Sequence, residues 1–126
     1  MIYTSYLAKL NEIPDDSVKI LIMQWKGKID IYKYNLIWMP SLSPSILNYY
    51  KKDLITKNEL FLSYKEQLKE EPALSAINEI IDEIKEGKDV YLICCEKNLC
   101  DCHRRILAQH ISEITNVQWQ EFKKGE

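Results

Sequence analysis

The segment Asp89 to Cys95 (DVYLICC) constrains the fold of this chain more than any other, because Val90 to Cys95 is apolar without a break. A strand with one wet face alternates polar and apolar residues. A strand without alternation is buried on both faces, as central strands of parallel sheets are. Parallel strands are joined by long crossovers, usually helices, and the neighbouring sequence supplies them. Before the run, Leu74, Ile77, Ile80, Ile81 and Ile84 recur at helical spacing behind Pro72, with Gly87 as a stop. After it, Asp101 can cap a helix that begins at Cys102 and turns Ile106, Leu107, Ile111 and Ile114 inward.

The remaining chain extends this pattern. Ile2–Thr4 and Val18–Met23 (VKILIM) predict the first two strands, the second bounded by Pro14-Asp15-Asp16. Trp25–Tyr34, with Gly27 inside it, fits an irregular hairpin or an ordered loop. Ser43 as a cap and Pro44 at the first helical position predict a helix to about Lys51. Thr56 with Glu59 is a capping-box pattern, followed by Leu60, Tyr64 and Leu68 with Phe61 alongside. Val117–Phe122 alternates and predicts a last strand at an edge. The order β-β-α-α-α-β-α-β predicts an α/β fold. It would be one compact domain over residues 1–126, with a small, mostly parallel sheet and helices packed over it in a Rossmann-like or flavodoxin-like way. No repeat, low-complexity tract or linker divides the chain.

Charge and hydropathy exclude some functions. A net charge of −2 and a pI of about 5.8 argue against a broad nucleic-acid surface. The six apolar residues from Val90 to Cys95 are the longest such run and cannot span a membrane. Met1–Leu10 lacks a charged leader followed by an apolar stretch. A cytoplasmic protein with no membrane partner is expected.

The rare residues then point to one place. Lys outnumbers Arg 15 to 2, yet the two arginines, Arg104 and Arg105, are neighbours. All four cysteines, Cys94, Cys95, Cys100 and Cys102, fall within nine residues, and His103 follows them. Leu92–Leu107 reads as a strand end, a loop and a helix start. Open α/β sheets bind ligands at the carboxyl ends of their strands, and helix N-termini favour anions. There Cys102 would be the most reactive thiol, and Arg104 would offer a planar fork to a carboxylate or phosphate. Glu96 would hold Arg104, orient His103 or meet a ligand hydroxyl. Since adjacent helical residues point about 100° apart, Arg104 is expected inward and Arg105 towards solvent. Structural roles compete with each of these: Cys94 and Cys95 as small hydrophobes, Glu96–Arg104 as an ion pair closing the loop, and His110 as a packed or half-exposed side chain. Cys95, Cys100, Cys102 and His103 are too close together for the usual two-pair zinc site, so no metal is expected. A disulfide is expected least of all in a reducing compartment.

Cys94-Cys95-Glu96, a five-residue spacer and Cys102-His103-Arg104 resemble the Cys-x-Glu…Cys-His-Arg signature of the domain of unknown function 488 family, in its shorter branch. Ile2–Tyr6 is similar to that family's first strand and Trp38-Met39-Pro40-Ser41 to its Pro-containing loop; Tyr64 falls on its tyrosine-bearing helix. The resemblance implies a compact α/β fold and a site built from Cys94, Glu96, Cys102, His103 and Arg104, without an activity. Ser5-Tyr6 stands where many members carry Gly-His-Ser, so chemistry needing that histidine is absent from the expectation.

A second feature sits at residues 25–38. Trp25, Tyr32, Tyr34 and Trp38 are interleaved with Lys26, Lys28 and Lys33. Aromatic faces beside cations can stack a base and neutralise a phosphate; the same aromatics can equally cap the sheet. Together these features predict a small anionic, nucleotide-like ligand, held without turnover as a sequestering protein would hold it, and no cofactor. The ligand-binding set is Thr4, Ser5, Trp25, Trp38, Cys94, Glu96, Cys102, His103 and Arg104. The alternative is an enzyme on a small phosphorylated or nucleotide-derived substrate, with Cys102 as nucleophile or His103 as acid–base. It would not be a Cys-x₅-Arg phosphatase, because Asn98 and Leu99 occupy the positions six before Arg104 and Arg105.

Overall fold

In the computed structural model, which describes residues 1–95 and 103–123, five parallel strands form one sheet. They are β1 (Ile2–Tyr6), β2 (Val18–Leu21), β3 (Leu36–Trp38), β4 (Val90–Cys94) and β5 (Trp119–Glu121), in the order β3-β2-β4-β1-β5. The helices are α1 (Leu47–Lys51), α2 (Lys57–Gln67), α3 (Ala73–Lys85) and α4 (Arg104–Thr115), with short 3₁₀ turns at Leu7–Glu12 and Pro40–Leu42. This is a compact α/β fold, consistent with a Rossmann-like or flavodoxin-like arrangement.

β4 lies between β2 and β1, and all five of its residues are buried. Its side chains alternate across the sheet. Val90, Leu92 and Cys94 join Ile77, Ile80, Leu107 and Ile111 in the core beneath α3 and α4. Tyr91 and Ile93 pack on the opposite face with Leu10, Ile13, Leu21 and Leu36. An apolar run without alternation is thus what two covered faces require.

Several expectations are corrected. The sheet has a strand that the sequence pattern does not announce, β3, so there are five strands among the described residues and not four. Of the hairpin and the ordered loop that fit residues 25–34, the structure has the loop, with turns and no strand pairing. Ser43 caps nothing: its buried hydroxyl has no hydrogen-bond partner among the described residues, and α1 starts only at Leu47. Helix α4 starts at Arg104 with His103 at its N-cap, while Cys102 and Asp101 lie outside the described residues. Leu74 and Ile114 are exposed, because each sits at the margin of its helix's apolar stripe.

Other local signals act as read. Gly87 follows α3 at φ +83°, a left-handed conformation that glycine adopts without strain. Thr56 accepts from the Glu59 amide at 3.1 Å, while Glu59 accepts from the Thr56 amide at 3.0 Å. Losing that reciprocal cap in Thr56→Ala should cost about 1 kcal/mol, read as a lower urea midpoint at unchanged slope.

The connectivity creates the one place where a ligand site is expected on topological grounds. From β2 the chain proceeds to the outer strand β3; from β4, the neighbour of β2, it proceeds across β1 to the opposite edge. The connections leave in opposite directions, so a crevice opens between the carboxyl ends of β2 and β4. Among the described residues no helix is long and apolar enough to cross a membrane.

Candidate functional site

The crevice at the ends of β2 and β4 is a cleft of ≈ 140 Å³. Met23, Gln24 and Trp25 enter it from the segment after β2, Cys94 and Cys95 from the end of β4, and His103 from the start of α4. Ser43, Leu47, Asn48 and Lys51 close it from the side of α1. Trp25 is 74% exposed, an aromatic face left open to solvent at the rim.

Ile22 and Tyr64 both hold His103. Its Nε2 donates to the Ile22 carbonyl at 2.7 Å, so the neutral ring carries its proton on Nε2. Tyr64 meets the ring edge-on, with centroids 5.5 Å apart. Burial, above all, pulls the His103 pKa down to about 4; the neighbouring Arg104 charge adds to this, and the Ile22 hydrogen bond opposes it. The imidazole is therefore neutral at pH 7. Tyr64, itself completely buried, donates its hydroxyl to the Leu42 carbonyl, and burial raises its pKa well above the ordinary value.

Arg104 is fully buried, whereas Arg105 is exposed. The Arg104 guanidinium grips Glu121 of β5 with both arms, Nε to Oε1 at 3.1 Å and Nη2 to Oε2 at 2.7 Å. Its Nη1 donates to Cys94 Sγ at 3.0 Å, and its plane lies 5.6 Å from the Tyr6 ring centroid. Thr4, directly across from Glu121 in the sheet register, donates its hydroxyl to the same carboxylate. A planar fork is what this bidentate geometry needs, which explains arginine here in a lysine-preferring chain. Glu121 was not among the expected residues. Its signal is that it shares a strand face with Val117 and Trp119, both packed on the core.

Of the expected set, the structure brings Trp25, Cys94 and His103 to the cleft. Thr4 and Arg104 lie behind it, joined through Glu121. Ser5 is buried with its hydroxyl unpartnered. Trp38 supports the cleft without lining it: its indole N–H donates to the Met23 carbonyl at 2.7 Å. Glu96 and Cys102, with Cys100, lie outside the described residues. Sequence reasoning missed Ser43 and Lys51; only the packing of α1 against the strand ends brings them in. The expectation against a disulfide is overturned, since Cys94 is disulfide-bonded while Cys95 is a free, exposed thiol. That expectation rested on compartment alone. Among the described residues no group of three or more His, Cys, Asp or Glu side chains could hold a metal ion.

A family model described as the active DUF488-N3 subclade matches residues 3–115. No curated protein and no solved structure gives a match. The matched span runs from β1 to the end of α4 and takes in the cleft, the His103 contacts and the Arg104 guanidinium; the chain belongs to the DUF488 family.

Proposed function

We propose that the cleft between β2 and β4 binds a small anionic, nucleotide-like molecule and that the protein acts by holding it. The observation that carries this reading is the lining. An exposed aromatic face, Trp25, and a cation, Lys51, flank a floor where the buried Ser43 hydroxyl has no partner among the described residues. A buried hydroxyl left unpaired costs about 1–3 kcal/mol, a cost that a ligand oxygen meeting it would remove. At ≈ 140 Å³ the cleft is smaller than the roughly 300–1,000 Å³ of pockets that enclose drug-sized ligands. It therefore takes the anionic end of the molecule, next to Lys51 and Ser43, and leaves a planar ring outside against Trp25. Arg104 contributes by position. Its charge is balanced by Glu121, and it holds Cys94 and the start of α4 in place.

Calorimetry with adenosine monophosphate and with adenosine tests this. The monophosphate should bind more tightly than the nucleoside, and Lys51→Ala should remove the difference. Trp25→Ala should weaken binding about tenfold to a hundredfold, as loss of one base–aromatic stack costs roughly 1–3 kcal/mol. Equal affinity for Trp25→Ala and the parent protein would refute the assignment.

An enzyme on a small phosphorylated or nucleotide-derived substrate is the second reading. It is favoured by the subclade's description as active and by the neutral imidazole of His103 in the cleft wall. Chromatography of the nucleotide after prolonged incubation separates the two: unchanged nucleotide supports capture, and a product supports turnover.

A further inference from the structure

We propose that the cleft between α2 and α4 is a second binding site, separate from the first, for a small polyanion with an apolar or planar part. The starting point is Arg105. Its neighbour Arg104 is explained by the bidentate grip on Glu121. Among the described residues Arg105 has no such partner; it is exposed, in a chain whose 15 remaining Lys and Arg side chains, apart from Arg104, are all lysine. It lines the outer face of α4, in a cleft of ≈ 490 Å³. That volume lies within the range of small-molecule pockets.

The walls suit an anion. Lys65 and the exposed Leu62 enter from α2, Lys69 from the turn after it, Arg105 and His110 from α4, and Trp119 from β5. Two carboxylates also line the cleft, and both are engaged: Glu66 pairs with Lys69 at 3.3 Å, and Glu113 accepts from Gln109 at 3.0 Å. Lys65 and Arg105 have no ion-pair partner among the described residues, and the three cations Lys65, Lys69 and Arg105 against two carboxylates leave the cleft a net positive charge in a chain of net charge −2. The Trp119 indole N–H already donates to Gln109 at 2.8 Å, so the ring is fixed as an apolar wall. Lys65 and Arg105 would take phosphate or carboxylate groups, and Trp119 with Leu62 would cover the rest of the ligand.

His110 supplies an internal reporter. Burial first, and the Lys69 charge as a smaller effect, lower its pKa, while Glu113 raises it. Facing it are Lys65 and Glu66 from α2, Lys69 from the turn after it, and Arg105 and Glu113 from α4. A bound anion favours the protonated ring, so His110 should titrate at higher pH in the complex.

The three tryptophans allow the two clefts to be read separately, since Trp25 lies at the first site, Trp38 supports it and Trp119 lines the second. The experiment is a titration of the full chain with pyrophosphate and, in a parallel arm, with citrate, followed through the indole N–H resonances by NMR. The expected result is a saturable shift of Trp119 with at least one of the two anions. Arg105→Ala and Lys65→Ala should each weaken it about tenfold to a hundredfold, and the His110 titration should move to higher pH. Saturation by pyrophosphate alone identifies phosphate as the recognised group, and saturation by citrate alone identifies carboxylate. Both substitutions are at exposed positions, so unchanged melting temperatures should accompany them. A Trp119 resonance unmoved by both anions, an equal shift with sodium chloride at matched ionic strength, or unchanged affinity in both variants overturns the proposal.

Discussion

Replacing Arg104 by alanine should destabilise the protein by about 3–5 kcal/mol, because removing one partner of a buried pair leaves the other charge uncompensated. The guanidinium is completely buried, and the Glu121 carboxylate is only 21% exposed. Three elements meet in it: α4 supplies Arg104, β5 supplies Glu121, and β1 supplies the Thr4 hydroxyl. For a chain of this length such a loss lowers the melting temperature by roughly 10–20 °C. Arg104→Lys should recover only part of it, since an ammonium cannot bond both carboxylate oxygens in a fixed plane. Combining Arg104→Ala with Glu121→Gln should cost clearly less than the sum of the single changes, because each single change orphans the other group. Thermal melts of the four proteins measure this. A drop of only a few degrees for Arg104→Ala would mean that the pair is not holding β5 and α4 to the sheet.

The second large effect is a loss of stability in mild acid, caused by His103. Its folded-state pKa is about 4 against 6.5 when exposed. The unfolded chain therefore takes up this proton at a higher pH than the folded one. The contribution is fully present above about pH 6.5 and is lost progressively as the pH falls from there to about 4. The total is about 3 kcal/mol, at about 1.4 kcal/mol per pKa unit. Urea unfolding across this pH range should show the slope, and His103→Gln should flatten it while lowering stability at pH 7. An unchanged slope in His103→Gln would place the acid sensitivity elsewhere. Burial of the ring, closed over by the edge of Tyr64, and the neighbouring Arg104 charge explain why the neutral form is preferred; the Ile22 carbonyl, which accepts from Nε2–H, works against them.

How far these features are legible in the sequence depends on their range. β4 is legible because two covered faces impose an unbroken apolar run, and α3 because its isoleucines keep one side of the helix inward. The capping box at Thr56 involves residues three apart and needs no tertiary context. β3 is three residues long, Leu36–Trp38, and three residues cannot display a period; its middle residue, Ile37, is 45% exposed. The partner of Arg104 is hidden for another reason. Glu121 is 17 residues away and reaches Arg104 only because β5 pairs with β1 at the sheet edge. Ser43 reads as a helix cap from its position before Pro44; only the packed structure turns it into an unpaired hydroxyl on the cleft floor. The Trp25 loop was readable as an aromatic and basic segment, but whether it reached the strand ends depended on the sheet order.

Native mass spectrometry of the full chain, incubated with an equimolar mixture of nucleoside monophosphates and the matching nucleosides, tests the central claim most directly. The account predicts a one-to-one complex with a monophosphate, weaker or absent with the nucleosides, and lost when Trp25→Ala is combined with Lys51→Ala. A protein that emerges at its own mass alone, or a complex retained undiminished by that double variant, would contradict it.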